Sequence, residues 1–189
     1  FGCGEGAHLQ YFEKQLGFNV YGVDISESSV PKAKAKINNP DNVKKIDSKP
    51  KIGDKFFDVK FDLIISSQVL YYLSDTDLQI RLENFNDMLK KNGHVFFTMM
   101  SEKSWYKSWS LENKPKEDGL LKVEHTQEFY NSRVKKNVNL HYINLTKDRE
   151  ELKKKFKIFQ PIEIGEYDLT YNEDESEHHW LFFGKKNSI

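Results

Sequence analysis

Cysteine is almost absent: Cys3 is the only one in 189 residues, so no internal disulfide can form. That usage fits a reducing compartment, and the expected location is the cytoplasm. Long apolar runs are missing as well. No stretch approaches the ~18 residues that a membrane-spanning helix needs, so no membrane partner is expected. There is no excess charge of either sign. Lys plus Arg and Asp plus Glu each number 29, which removes the electrostatic case for nucleic acid or an anionic surface as the main partner. No repeat, low-complexity tract or secretory leader is visible.

What is present is an aromatic-rich chain of single-domain length. Hydrophobic residues make up only 38%, but 14 Phe and 9 Tyr can carry the core. Strand and helix signals alternate. Ala7 to Leu16 has Leu9, Phe12 and Leu16 at helical spacing, and Gly17 ends it. Asn19 to Ile25 is a buried strand. Ser26 to Ile37 is helical, capped by Ser26 or Ser28, and Pro31 argues for a late start. Val43 to Ile46 is a short strand, and Phe61 to Ser66 is the clearest buried one. Thr76 to Lys91 is a periodic helix with Leu78, Leu82, Phe85 and Leu89 on one face, stopped by Asn92-Gly93 before a strand from His94 to Met100.

Residues 101–145 break this rhythm and are expected to form an insertion. Thr146 is expected to cap a charged helix running to Phe156, with Asp148 and Glu150 in its first turn, where the helix dipole favours acids. Ile158 to Leu169 and His178 to Gly184 are then two strands, joined by the acidic and exposed TYNEDESE. Such alternation means a mostly parallel sheet with helices on both faces, and two closing strands without a helix between them mean a terminal antiparallel hairpin.

The chain opens on Phe1-Gly2-Cys3-Gly4-Glu5-Gly6, which leads into the first helix. Glycines allow a tight turn and let a ligand touch the backbone, and the helix beyond offers free N–H groups. Asp24 lies 18 residues past Gly6 at the end of the second strand signal. In doubly wound folds an acid there accepts hydrogen bonds from a ribose diol. A turn acid and a plain strand-to-helix turn are the bland alternatives. A dinucleotide fingerprint wants G-x-G-x-x-G and is met only with Ala7 in the third place. The closing hairpin is not expected of a simple dinucleotide domain.

With FGCGEG, YGVDIS, VKKID, FDLIISSQVLYYL, MLKKNGHVFFTMM and HHWLFFGKK in this order, the chain resembles the class I S-adenosylmethionine-dependent methyltransferases. The resemblance implies an α/β fold with a doubly wound seven-stranded sheet of order 3-2-1-4-5-7-6, the last strand antiparallel. It spans residues 1–189 as one domain, with 101–145 inserted as a lid. It implies that Gly2, Gly4 and Gly6 bend around the methionine part of S-adenosylmethionine, with Cys3 in the same loop. Asp24 holds the ribose hydroxyls and Ile25 packs on adenine. Asp47, with Ser48 beside it, lies near the adenine amino group. Ser67 and Gln68 face the sulfonium and the incoming substrate. For Asp47 the alternative is an ordinary loop acid, and for Ser67 and Gln68 simple strand-end polarity.

The family pattern also places an acid two positions before the first glycine and a central strand before that. The chain begins one residue before Gly2, so the expectation is that Phe1 is not the biological start. An intact mass near 22.3 kDa would refute it.

On the substrate side, many small-molecule enzymes of this group carry His where Tyr72 stands, so a family-style base there is in doubt. Tyr71 and Tyr72 are candidates to line the methyl channel, with one of them a core aromatic, and Tyr71 is a catalytic candidate. His141, just before a helix, is the second catalytic candidate, with a structural histidine as the alternative. Trp105, Tyr106 and His179 are candidate substrate contacts. His178 and His179 are adjacent in a strand, so only one can face a given pocket. No ligand spacing supports a metal site with Glu124, His125 or Glu177. The expected activity is methyl transfer to an oxygen or nitrogen of a small molecule by a monomer or homodimer. An NAD-dependent oxidoreductase domain and a non-catalytic cofactor-binding subunit are the other readings. The strand end Ser66-Ser67-Gln68-Val69 lacks the Asn/Asp-Pro-Pro-aromatic signature of nucleic-acid amino-methylating enzymes.

Overall fold

The structure is a computed structural model that describes residues 1–110, 118–124, 140–172 and 175–187. Helix α1 (Ala7–Leu16) follows the glycine loop and ends at Gly17, whose φ of 68° gives the left-handed cap its sequence predicts. Strand β1 (Gly22–Asp24) is shorter than the expected run. Helix α2 (Ser29–Lys34) starts late, as Pro31 requires, and Ser26 Oγ accepts from Ser29 N at 3.2 Å. Strand β2 (Val43–Lys45) pairs parallel with β1. A second unit follows: β3 (Phe61–Ser66), α3 (Asp75–Met88) and β4 (Leu89–Met100). Beyond it lie β5 (Leu120–Glu124), β6 (Leu140–Asn144), α4 (Arg149–Lys155), β7 (Phe159–Asn172) and β8 (Glu175–Lys186).

The expected single seven-stranded sheet is not what forms. Strands β1 and β2 make one two-stranded sheet, β3-β4-β8-β7 a four-stranded sheet, and β5-β6 a separate antiparallel hairpin within the expected insertion. Strand β8 runs antiparallel to both neighbours, as the closing hairpin predicts. The division falls between β1 and β3. The first three residues lie across it: Phe1 N donates to Ile65 O at 2.7 Å, while Gly2 N and Cys3 N donate to Val23 O at 2.8 and 3.0 Å. A cavity of about 1070 Å³ fills the rest of the division, with Val20, Tyr21 and Val23 on one wall and Phe61, Leu63 and Ile65 on the other.

The three sheets share two cores, with Leu121, Val123 and Ile143 of β5-β6 in the larger one. Leu9, Val20, Val30, Ala33, Ile37 and Val43 pack α1 and α2 onto β1-β2. In the larger core Phe97 meets Phe85 of α3 at 5.6 Å and Phe156 at 5.4 Å, and Phe156 meets Phe182 at 5.0 Å. These contacts cover one face of the four-stranded sheet. The opposite face carries exposed Leu63 and half-buried Ile65, Phe96, Leu181 and Phe183, so the expected cover of helices on both faces is not met there.

Several local expectations are also corrected. Helix α3 stops at Met88 rather than Lys91, because Leu89 is already extended and pairs with Phe61. The Asn92-Gly93 turn, with Asn92 at φ 62°, becomes an irregularity within β4. Asp148, not Thr146, caps α4 by accepting from Glu150 N and Glu151 N at 3.1 and 2.9 Å. Thr146 is buried, and its carbonyl accepts from Trp180 Nε1 at 2.9 Å. Leu16 faces solvent although it shares the spacing of Leu9. The acidic link TYNEDESE is largely strand, and its Glu177 is only 8% exposed.

Candidate active site

Three glycines open the loop for three reasons. Gly2 sits at φ 69°, and a Cβ there would lie 2.2 Å from Val69 Cγ2, so the loop presses against the chain leaving β3. At Gly6 an added Cβ would meet Ala33 Cα at 2.8 Å. Its absence lets α1 and α2 approach, and the Gly6 φ of 80° adds to the bend of the loop. Gly4, at φ 51°, has nothing within 4 Å of an added Cβ. It is the loop residue that offers bare backbone to a ligand.

Asp24 ties this loop to the end of β1. Its Oδ2 accepts from Gly4 N at 2.7 Å and its Oδ1 from Ser26 N at 2.8 Å. Each carboxylate oxygen keeps a second lone-pair site, so Asp24 is a turn acid and still an acceptor for a diol. Ile25, next to it, is 55% exposed, an apolar surface at a strand end. Cys3 points inward, where a Cβ on Gly22 would lie 3.0 Å from its Sγ. Burial pushes the Cys3 thiol up from its ordinary range.

Asp47 and Ser48 are exposed one and two residues beyond Ile46, whose N–H donates to Asp24 O at 3.0 Å. Asp47 pairs with Lys51 at 3.5 Å, and both line a smaller cavity of about 440 Å³ with Lys45, Asp54 and Phe56. Ser67 is half-buried and lines the larger cavity beside Phe1, Gly2 and Cys3. Gln68 has φ 59°, a left-handed conformation unusual for a non-glycine residue. Its N–H is held by Thr98 Oγ1 at 2.7 Å. Thr98 escaped the sequence reading because a threonine inside HVFFTMM reads as part of an apolar strand.

The chain then turns through Leu70–Tyr72. Tyr71 is 3% exposed and Tyr72 49%. Burial drives the Tyr71 hydroxyl far above its ordinary value, and neighbouring Tyr72, Glu177 and Tyr106 add to the shift. His179, fully buried on β8 opposite Met100, stacks on Tyr167 at 5.0 Å and lies 5.8 Å from the Tyr71 ring. Its Nε2 is 3.4 Å from Glu177 Oε2. The sequence raises Glu177 only as a possible metal ligand and does not foresee its pairing with His179. His178 faces the other way, with Nε2 3.3 Å from Glu166. Trp105 is buried, and half-buried Tyr106 packs edge-on to it at 5.2 Å. His141 lies on β6 opposite Val123, but its side chain falls outside the described residues, as does all of His125. The described residues contain no cluster of three or more His, Cys, Asp or Glu able to hold a metal, and none of their helices is long and apolar enough to cross a membrane.

The structure therefore joins Gly2, Gly4, Asp24 and the Ser67–Val69 strand end into one cradle, with the Tyr71, Tyr72, Tyr106 and His179 group following directly in the chain or packed behind it. A glycine loop clasped to an acid at a strand end, beside an exposed apolar residue, defines an α/β nucleotide-cofactor domain. A family model described as a methyltransferase domain matches residues 1–142, and the chain belongs to that family. No curated protein matches the chain. Solved structures do.

An S-adenosylmethionine-dependent methyltransferase from Methanosarcina mazei shares 16% identity at a TM-score of 0.74, covering 100% of this chain and 91% of that one. One from Clostridium acetobutylicum shares 17% at 0.65, covering 99% and 82%. The N-methyltransferase NodS from Bradyrhizobium japonicum, in complex with S-adenosyl-L-homocysteine, shares 16% at 0.59, covering 99% and 76%. At these identities the likeness establishes the fold. The residues present fit the cofactor of that fold: open backbone at Gly4, a carboxylate with free lone pairs at Asp24 and an apolar surface at Ile25.

Proposed function

We propose that the protein transfers the methyl group of S-adenosylmethionine to an oxygen or nitrogen of a small molecule by in-line displacement. The clasp of Gly4 to Asp24 carries this reading. It holds bare backbone and a ribose-accepting carboxylate together at a strand end. The bound cofactor supplies an already activated methyl group, so the protein's task is alignment and exclusion of water. Gly4 admits the methionine portion to the backbone, Asp24 accepts the ribose hydroxyls and Ile25 covers the base. Asp47, lining the smaller cavity, and Ser48 beside it follow Ile46, whose N–H is bonded to the Asp24 carbonyl, and they meet the polar edge of the base. Ser67 and Gln68 leave β3 toward the sulfonium, and the strained Gln68 backbone is held by Thr98. Tyr72 and Tyr106 supply aromatic surface for the acceptor.

Calorimetric titration with S-adenosylmethionine, S-adenosylhomocysteine and NAD tests the cofactor. Binding of the first two and not the third is expected; the reverse overturns the reading. Turnover of a metabolite panel with methyl-labelled S-adenosylmethionine tests the substrate class. Label found only on protein or nucleic acid would overturn the small-molecule assignment.

A further inference from the structure

We propose that Thr98 is a positioning residue for the cofactor, acting through the backbone of Gln68 and the side chain of Val69 on Gly2. This rests on the methyl-transfer reading and adds to that site a residue that acts only through others.

A hydroxyl inside an apolar strand is costly unless it is bonded. Thr98 is 1% exposed, between the buried Phe97 and Met99 of β4. Valine has nearly the same shape and would fill the position without a polar atom, so the hydroxyl calls for a use. The ladder between β3 and β4 runs to Ser66 opposite Phe97. Just past that end, Thr98 Oγ1 accepts from Gln68 N at 2.7 Å. A side chain thus carries the pairing one step beyond the strand.

Gln68 needs that anchor. At φ 59° a residue with a Cβ is crowded against its own backbone. Without the anchor the backbone relaxes toward negative φ, and the chain leaves β3 in another direction. Gln68 is therefore an element with two arrangements, one anchored and one relaxed.

The consequence falls on Val69. A Cβ on Gly2 would lie 2.2 Å from Val69 Cγ2 and 2.9 Å from Cγ1, so the valine methyls press on the bare glycine. Gly2 N and Cys3 N donate to Val23 O on β1, and Gly4 N to Asp24. One run of contacts leads from Thr98 on β4, across the division, to the clasp that receives the cofactor. Ser67, which lines the larger cavity beside Gly2 and Cys3, rides on the same turn.

Calorimetry of the full chain with S-adenosylhomocysteine, at a temperature where every variant is folded, tests this. Thr98→Val should weaken binding about fivefold to tenfold, the worth of one buried hydrogen bond. Thr98→Ser, which keeps the hydroxyl, should bind close to the native level. In a Gln68→Gly background the left-handed backbone carries no Cβ penalty, and Thr98→Val should cost less there. In ligand-free amide NMR spectra, Thr98→Val should move the Val69 and Gly4 lines and leave Gly17, at the far end of α1, in place. Should Thr98→Val not fold, Thr98→Ala carries the same comparison with Thr98→Ser. Native affinity in Thr98→Val, or an equal loss in Thr98→Ser, overturns the role. An equal loss with and without Gln68→Gly overturns the route through Gln68. If the native chain binds no S-adenosylhomocysteine, the cofactor reading fails instead, and an unmoved Gly4 line in Thr98→Val still overturns the reach of Thr98 to the loop.

Discussion

An added methyl group meets nothing at Gly4 but would collide with Val69 at Gly2, and the two positions should respond differently to the same substitution. Gly4→Ala retains the fold, losing ~1 kcal/mol to its left-handed backbone, but blocks the ligand face. S-adenosylmethionine binding by calorimetry should weaken at least about tenfold, roughly the worth of one lost close contact of ~1.4 kcal/mol. Gly2→Ala should instead lower stability itself, by ~1–3 kcal/mol in denaturant titration. Asp24→Asn keeps the shape but weakens two charge-assisted bonds. Binding should fall more than about tenfold, since such bonds contribute ~1.5–3 kcal/mol each. Asp24 was legible because spacing alone puts an acid at a strand end. The part Glu177 plays was not: in TYNEDESE it is one acid among several, weighed only as a metal ligand, and its partner in the fold, His179, is what distinguishes it.

Helix α3 begins under a double cap. Ser74 accepts from Asp77 N at 3.2 Å, and Asp118 Oδ1 accepts from Thr76 N at 2.7 Å and Thr76 Oγ1 at 2.8 Å. Hydrogen bonds from Ser74 and Thr76 lower the Asp118 carboxyl below its usual range. A lowered folded value means that the stabilisation is complete above the unfolded value of about 3.8 and is lost as pH falls through the folded one. Thermal midpoints followed from pH 6 downward should therefore drop less steeply in Asp118→Asn than in the native protein. At α4 the buried Lys155 binds Asn144 Oδ1 at 2.5 Å, Leu145 O at 3.0 Å and Glu151 at 3.1 Å. Lys155→Ala should cost about 3 kcal/mol by leaving these groups unpaired, measured by denaturant unfolding. Helix existence was readable from periodicity, while its ends depended on distant residues. Asp118 lies 42 positions from Thr76, and Leu89 was drawn out of α3 by pairing with Phe61.

In the whole molecule the strongest strands are β4 and β8, each bonded on both sides, and the weakest lie along the division between β1 and β3. Native-state hydrogen exchange should show β4 and β8 amides most protected and β1 and β3 amides exchanging sooner. Uniform protection across all four would contradict two separate sheets. The parallel, helix-linked class followed from the alternation of signals, and the antiparallel end from two strands lacking a helix between them. The division could not be read from residue pattern, because Val20 to Val23 and Phe61 to Ile65 are as apolar as strands paired on both edges.

That division changes what a ligand does for this molecule. The glycine loop belongs by its bonds to β1, yet Gly2 is lodged against Val69 on the far side. Anything gripping Gly4, Asp24 and the Ser67–Gln68 segment at once acts as a rivet through two plates. The cofactor then sets the mechanical coupling of the two cores as well as the chemistry, and heating the loaded protein should give one sharp transition where the empty one melts in two.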